Sequence, residues 1–297
     1  MRKNPPEPPS RFLLDQFSGE DIVTWKKREE ELEAYNLRLF YHLEGLRQLH
    51  HKALCEALNK ADVLKIKGET WSRIVDAKYS NNPLSPVGSI KIGGRFNIGQ
   101  DIDPGKFPAF PVLYLGQSHD TAFKEKFGTP KAANGLASHE LALRKPSSYF
   151  YVNATVSVDA VFDLNRAANL KAFCEILSTF KVPDDLQFLA RKLGLGKQRL
   201  IKKTYELRTN LLDPFWNRTP VQFDTPANSQ LFGRFLRDAG FKAIMYPSAR
   251  AQGQSCLAIF VENLADTESY IELADPVADT VAFKKLSADN LKQILNC

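Results

Sequence analysis

The sequence changes pattern near Gly68, and this change constrains the fold more than any other feature. Before it, apolar residues recur every three or four positions from Leu32 to Ala57, which is the spacing of one face of an α-helix. After it, short apolar or alternating runs are separated by turns rich in glycine and proline, a pattern typical of β-strands. The sequence therefore predicts a helical N-terminal extension followed by a domain of mixed strands and helices.

The N-terminal extension is expected to be one long amphipathic helix, or two helices in series with a break near Gly45. Ser18 followed by Asp21 resembles a capping box with Asp in place of Glu, so a helix is expected to start there. About forty helical residues would extend over roughly 60 Å, more than the width of a small domain. This helix either packs on its own domain or binds a partner, including a second copy of the chain in a homodimer. Residues 1–10 contain four prolines and are expected to be an extended arm.

The remaining elements follow from hydrophobic period and turn residues. Strands are predicted at residues 71–77, 111–116, 149–162, 241–246 and 257–261. Helices are predicted from Ser118 to Gly128, over 170–205 with interruptions near Pro183 and Gly194, and from Ser229 to Ala239. The predicted class is α+β, since no period repeats and no regular βαβ alternation occurs. The expected domains are residues 1–67 and 68–297, the second with a basic helical insert at about 166–225.

The charge of the chain is unevenly distributed. Its 297 residues carry a formal net charge of +6, which raises the question of a nucleic acid or an acidic membrane as partner. Residues 181–218 alone contain nine Lys and Arg against four Asp and Glu. The basic run 191–203 contains no aromatic residue, which argues against base stacking on a single strand. A solvated helix face is the favoured interpretation of the run, and recruitment of phosphate or of an acidic partner is the alternative. Nucleic acid is not an expected partner.

Several classes of site and location are disfavoured by residues that the sequence lacks. The four cysteines are far apart and no histidine lies at metal-ligand spacing, so neither a disulfide framework nor a metal site is predicted. The basic N-terminus is not followed by an apolar segment, and no run of about 18 apolar residues occurs. We expect a cytoplasmic protein without a membrane span, although a secretion route that needs no signal peptide stays compatible with the sequence. The P-loop, dinucleotide, zinc-protease and serine-hydrolase motifs are absent, and Gly194-Leu-Gly196-Lys197 lacks P-loop spacing.

A few polar residues in turn-rich segments are candidates for chemistry. Arg95 follows two glycines, where the backbone can approach a ligand and a guanidinium can bind phosphate oxygens in a bidentate manner. Tyr114 lies in an apolar strand and Glu125 in the next helix, while Ser248 and Arg250 follow a later strand. Each also has a structural interpretation: a surface salt bridge for Arg95, a core position for Tyr114, a solvated carboxylate for Glu125 and a turn for Ser248.

Three motifs, in this order along the chain, resemble the signature of the RES-domain family, named for its Arg, Glu and Ser. They are Gly93-Gly-Arg-Phe-Asn97, Leu113-Tyr-Leu-Gly116 followed by Ala122 and Glu125, and Gly240-Phe-Lys-Ala-Ile-Met-Tyr-Pro-Ser-Ala-Arg250. The resemblance covers roughly residues 71–260, including the helix that carries Gln230. The chain departs from the family at Ser255 and Cys256, since the family often has an Asn shortly before its final strand.

The resemblance implies a fold similar to that of ADP-ribosyltransferases, with a mixed sheet core and flanking helices. It also implies a toxin of a toxin-antitoxin system that takes NAD+ as its substrate, without a bound cofactor, and that is often inhibited by an Xre-type antitoxin. Known members destroy NAD+ by hydrolysis or by phosphorolysis, for which orthophosphate is the co-substrate. By position, Arg95, Tyr114 and Glu125 would be catalytic, and Arg95, Tyr114, Ser248, Gly94 and Asn97 would bind the substrate.

These residue types suit cleavage of the nicotinamide–ribose bond. Nicotinamide leaves as a neutral molecule, so the chemical demand is to stabilise positive charge on the ribose, as glycosidases do with carboxylates. Glu125 could meet that demand, Arg95 could bind the pyrophosphate, and Tyr114 could stack on nicotinamide or the adjacent ribose. Two alternatives stay open: a protein ADP-ribosyltransferase toxin or secreted effector, and a non-enzymatic nucleic-acid or scaffold module.

Overall fold

The computed structural model describes residues 19–128, 149–196, 200–265, 267–276 and 278–296. The predicted arm at residues 1–10, the predicted cap at Ser18 and the terminal Cys297 lie outside these residues. Helices in the described part of the chain are α1 Gly19–Leu49, α2 His51–Leu58, α3 Val87–Lys91, α4 His119–Phe127, α5 Lys171–Leu177, α6 Asp184–Lys192, α7 Thr204–Leu211, α8 Arg218–Phe223, α9 Asn228–Asp238 and α10 Leu291–Leu295. Strands are β1 Val63–Asp76, β2 Val112–Gly116, β3 Tyr149–Asp163, β4 Ala243–Pro247, β5 Ser255–Phe260, β6 Tyr270–Leu273 and β7 Lys285–Ser287.

The chain divides into two compact units. The first comprises the described residues of Met1–Leu46 and Lys181–Leu200, and the second comprises those of Arg47–Phe180 and Ile201–Cys297. The N-terminal segment of the first unit ends at Leu46, and α2 and all of β1 belong to the second unit. Part of the expected basic insert belongs to the first unit, since Leu186, Ala190 and Leu193 pack with the N-terminal helix.

The first unit is built from α1 and α6. Tyr35 of α1 is buried together with Leu186, Ala190 and Leu193, and this apolar contact joins the two helices. An ion pair of 2.8 Å between Arg38 and Asp185 lies beside it. The predicted long helix is present. It does not break near Gly45 but continues to Leu49. An added Cβ at Gly45 would meet open space.

The second unit is a seven-stranded sheet in the order β1-β2-β5-β4-β3-β6-β7. β1 also pairs with β3 along almost its whole length, from Val63 opposite Phe162 to Asp76 opposite Tyr149. Since β1 pairs with β2 as well, the strands β1, β2, β5, β4 and β3 close into a ring. Only the β3–β4 pairing is parallel among the described strands. The mixed α+β class with a sheet core and flanking helices is confirmed.

The core of the second unit lies on the strands that form this ring. Leu113 and Leu115 of β2, Leu257 and Ile259 of β5, and Val156 of β3 are buried in one cluster. The alternation of buried and exposed residues in β3 matches the strand that the sequence predicts, and the structure extends it by one residue to Asp163.

Two local predictions differ from the structure at their first residues. β1 begins at Val63, five residues before Gly68, where the sequence pattern changes. The reason is that β1 pairs from Val63 onward with β3, starting at the C-terminal end of β3. Helix α9 begins at Asn228 and not with Ser229 as its cap. The side-chain oxygen of Gln230 accepts a hydrogen bond of 2.9 Å from the Ala227 N–H and so caps this helix, while the Ser229 hydroxyl is buried without a hydrogen-bond partner among the described residues.

Candidate active site

A cavity of about 340 Å³ in the second unit brings together most of the predicted site residues. Gly94, Arg95, Tyr114 and Glu125 line it directly. They come from the turn before β2, from β2 itself and from α4, which follows β2 after two residues. Ser248, at the end of β4, reaches the site through a hydrogen bond to Glu125.

Asn97 is the predicted substrate-binding residue that the structure does not bring to the cavity. It is fully buried, and its amide nitrogen donates to the carbonyl oxygens of Ser89 at 2.6 Å and Phe110 at 3.0 Å. Its amide oxygen accepts hydrogen bonds of 2.9 Å from both the Gly94 N–H and the Tyr114 hydroxyl. Because these bonds occupy both ends of the amide, Asn97 does not face a ligand. It positions the turn formed by residues 93–97, which we call the glycine turn.

Tyr114 is held against the glycine turn. Its hydroxyl donates to Asn97 and accepts a hydrogen bond of 2.9 Å from the Phe96 N–H. A Cβ at Gly94 would lie 2.4 Å from the Tyr114 hydroxyl oxygen and 2.6 Å from two ring carbons, so only glycine fits there. Burial raises the pKa of Tyr114 well above its ordinary value, so the hydroxyl stays protonated at neutral pH.

Arg95 lines the cavity, and one nitrogen of its guanidinium is hydrogen-bonded to the backbone. The side chain is buried, and Nη1 donates to the Asp213 carbonyl at 2.7 Å and to the Leu211 carbonyl at 3.4 Å. Leu211 ends α7, where helix carbonyl groups lack partners and a cation is favoured by the helix dipole. The salt bridge that the structural interpretation assigned to Arg95 is not observed among the described residues, and the other donors of its fork remain available to an anion.

Glu125 is oriented by the segment after β4. The Ser248 hydroxyl donates to Glu125 Oε1 at 2.5 Å and accepts hydrogen bonds from the Arg250 N–H at 3.2 Å and the Ala251 N–H at 2.8 Å. The hydroxyl is therefore fixed by a turn of the backbone, and it in turn fixes the carboxylate. Helix α4 presents Glu125 reliably because Ser118 caps it by accepting from the Thr121 N–H and Gly128 ends it at φ 94°, as the sequence predicts.

Two buried groups that line the cavity are neutral. Burial, aided by the negative charge of Glu125, raises the pKa of Cys256 to about 12. Burial also raises the pKa of Tyr246 well above its ordinary value, and its ring packs against Phe96 with centroids 4.8 Å apart. Cys256 lines the cavity at the position where the resembled family often has an Asn. A protonated thiol there offers only a weak hydrogen bond to a ligand.

Sequence reasoning missed Arg73, which also lines the cavity. Its Nη2 donates to the Ser85 carbonyl at 3.0 Å, whereas Nη1 is buried without a hydrogen-bond partner among the described residues. Burial lowers the pKa of Arg73 to about 10, which leaves it cationic at neutral pH. An arginine inside a half-buried strand beside Trp71 and Ile74 is the sequence signal that could have identified it.

Two other features of the site were also missed. Trp216 lines the cavity from the turn between α7 and α8, inside the segment that the sequence treats only as a basic insert. Gln230 of α9 is buried and donates a hydrogen bond of 3.0 Å to the Asn97 carbonyl, so it supports the glycine turn from below. Both depend on contacts between distant segments, which hydrophobic period does not reveal.

The arrangement combines a fixed carboxylate, three arginines and half-exposed aromatic rings in one cavity. Such a site can bind a ligand with phosphate groups and stabilise positive charge beside the carboxylate. Within the described ranges, no group of three or more His, Cys, Asp or Glu is placed to hold a metal ion. Likewise, no helix in the described part of the chain has the length and hydropathy needed to cross a membrane.

The family model of the RES domain matches residues 70–280 of the chain. No curated protein matches the sequence. Among solved structures, the chain is similar to one in the crystal structure of the M. tuberculosis MbcT-MbcA toxin-antitoxin complex, with a TM-score of 0.41 and 14% identity over 82% of this chain and 98% of that chain.

Proposed function

This chain belongs to the RES-domain family, and from that premise we propose that it is a toxin that cleaves the nicotinamide–ribose bond of NAD+. The observation that carries the proposal is the meeting of Arg95, Tyr114 and Glu125 in one cavity, with Ser248 holding the carboxylate. NAD+ is the substrate of this reaction, and no further cofactor is required by the chemistry. A cognate antitoxin, which the family resemblance implies, is the proposed protein partner.

The chemistry assigns a separate role to each group. When the bond to neutral nicotinamide breaks, positive charge develops on the ribose, and the Glu125 carboxylate stabilises it. Ser248 keeps one carboxylate oxygen in a fixed direction, so little reorganisation is needed as charge develops. Arg95 and Arg73, which both line the cavity, supply positive charge for the pyrophosphate. The protonated Tyr114 presents its ring to the nicotinamide end.

The acceptor that attacks the ribose defines the product. Water gives ADP-ribose, and orthophosphate gives ADP-ribose-1″-phosphate. Arg250 lines the cavity next to Ser248 and is a candidate for recruiting phosphate, although its Nη1 already donates to the Lys124 carbonyl at 3.3 Å. We favour destruction of NAD+ over transfer to a protein side chain, and the experiment below distinguishes the two.

The proposal is tested by incubating the purified chain with NAD+, with and without phosphate, and identifying the products by mass. We expect nicotinamide together with ADP-ribose or its 1″-phosphate. Glu125→Gln should fold normally and lose about 100-fold or more of the rate, because a neutral amide does not stabilise the developing cation.

Glu69→Gln serves as the matched control, since Glu69 is exposed on β1 and does not line the cavity. It should keep the wild-type rate. No release of nicotinamide from the wild-type chain, or a wild-type rate in Glu125→Gln, would contradict the proposal. Label from NAD+ that appears on a macromolecule would instead support a protein ADP-ribosyltransferase.

A further inference from the structure

One wall of the cavity is the turn formed by residues 213–216, between α7 and α8. The turn is stabilised by two hydrogen bonds to Asp213. The backbone N–H of Phe215 donates to its carboxylate at 2.9 Å, and the backbone N–H of Trp216 donates to its carbonyl at 3.2 Å. Pro214 and Trp216 line the cavity, whereas Phe215 is 54% exposed and carries the Arg218 guanidinium over its ring at 4.1 Å. The turn therefore presents Trp216 to the cavity and Phe215 away from it.

This turn is attached directly to the arginine proposed to bind pyrophosphate. Arg95 Nη1 donates to the Asp213 carbonyl at 2.7 Å, and the same carbonyl accepts from the Trp216 N–H. Trp216 is thus held next to the phosphate-binding group by two hydrogen bonds to one oxygen. A carbonyl has two lone pairs, so it can accept both.

Contacts connect groups of the site in a series that can be compared with the order of the groups in NAD+. Glu125 and Tyr114 belong to the β2–α4 segment, and Gly94 packs on the Tyr114 ring beside Arg95. Arg95 then bonds to the turn that carries Trp216. In NAD+, the nicotinamide ribose is followed by the pyrophosphate and then by adenosine. A substrate with its ribose at Glu125 and its pyrophosphate at Arg95 carries its adenine towards Trp216.

The other two aromatic rings that line the cavity, those of Tyr246 and Tyr114, already pack against other residues of the protein. The Tyr246 ring is buried and packs on Phe96, and Tyr114 has Gly94 against its ring and is assigned to the nicotinamide end. Trp216 is half-buried, so part of its indole is open to a ligand. We propose that Trp216 is a specificity-determining residue that binds the adenine of the substrate by stacking. This inference rests on the proposed function, because it takes the position of the pyrophosphate from it.

The test measures binding, so that it does not depend on turnover. Dissociation constants of ADP-ribose, which contains adenine and pyrophosphate, and of nicotinamide mononucleotide, which lacks the adenosine half, are measured by calorimetry. The proteins are the full chain and its Trp216→Ala, Trp216→Phe and Phe215→Ala variants. Phe215→Ala is the matched control, because it removes an aromatic ring from the same turn without altering the cavity wall.

We expect Trp216→Ala to weaken ADP-ribose about tenfold or more, as loss of one base stack does, and to leave nicotinamide mononucleotide within twofold of wild type. Trp216→Phe should recover most of the affinity, and Phe215→Ala should resemble wild type. An unchanged affinity for ADP-ribose in Trp216→Ala, or an equal loss for both ligands, would overturn the stacking role, as would a wild-type chain that does not bind ADP-ribose. If ADP-ribose behaves as expected but the wild-type chain releases no nicotinamide from NAD+, the stacking stands and the proposed reaction fails.

Discussion

At the scale of single residues, the site is a set of side chains whose hydrogen-bonding groups are mostly occupied by the protein itself. The Asn97 amide is fully hydrogen-bonded to backbone groups and to Tyr114, and the Ser248 hydroxyl donates a hydrogen bond to Glu125. Arg73 differs, because its buried Nη1 has no partner among the described residues. A buried donor without a partner costs free energy.

Ser248→Ala should lower kcat for NAD+ cleavage about tenfold and change KM much less. The reason is that the variant removes the hydrogen bond that orients the Glu125 carboxylate while the carboxylate itself stays. Steady-state kinetics of nicotinamide release measure both constants. Ser255→Ala is the control, since Ser255 begins the neighbouring strand and does not line the cavity. Equal losses in the two variants would show that Ser248 does not act through Glu125.

At the scale of elements, the site depends on the contact between α9 and the glycine turn. Gly233 of α9 lies so close to this turn that a Cβ would stand 2.0 Å from the Phe96 carbonyl oxygen. One helical turn earlier, Gln230 donates to the Asn97 carbonyl. The helix thus supports the turn from which Gly94 and Arg95 reach the cavity, and a glycine in the helix interior is tolerated because the contact requires it.

Gly233→Ala should destabilise the protein by about 2–3 kcal/mol, because the helix or the turn must move to relieve the overlap. The loss corresponds to a fall in Tm of about 5 °C or more for a domain of this size, measured by thermal unfolding. Gly88→Ala provides the comparison, since Gly88 also lies in a helix but a Cβ there meets nothing within 4 Å. We expect Gly88→Ala to be neutral, and a Tm for Gly233→Ala equal to that of wild type would refute the packing argument.

At the scale of the whole molecule, the second unit buries three weak acids in one place. The pKa values of Cys256, Tyr114 and Tyr246 are all raised by burial, so these groups stay neutral when folded. In the unfolded chain they ionise at their ordinary pKa values, near 9 for the thiol and near 10 for the phenols. The unfolded state then binds fewer protons than the folded state, and stability must fall as the pH rises above about 9.

The free energy of unfolding should therefore be level from pH 7 to 8.5 and decline above pH 9. Cys256 alone accounts for about 1–2 kcal/mol of this decline by pH 10, since its folded pKa is about 12. Denaturant titrations at pH 8 and pH 10 measure it, and Cys256→Ser should show a smaller decline between these two values than wild type. A variant whose stability falls as steeply as that of wild type would show that the thiol is not the ionising group.

The elements were largely predictable because each depends on neighbouring residues. Ser118 and Gly128 mark the two ends of α4, and β3 reads as an alternating strand from Tyr149 onward. The boundary of the N-terminal unit was not predictable, because it depends on packing of α1 against α6, more than a hundred residues away. The start of β1 was missed for the same reason, since pairing with β3 sets it.

The sequence by itself determined the family motifs, the α+β class and the identity of Arg95, Tyr114, Glu125 and Ser248 as candidates. The tertiary structure alone decided which of them meet, since the cavity is lined by segments of β1, β2, α4, β4 and β5 that lie far apart in the sequence. It also shows that Asn97 positions the glycine turn instead of facing a substrate, and that Arg73 and Trp216 line the cavity. The physical reason is that a motif records residue type and spacing along the chain, whereas binding depends on distances between segments far apart in sequence and on which hydrogen bonds the protein has already used.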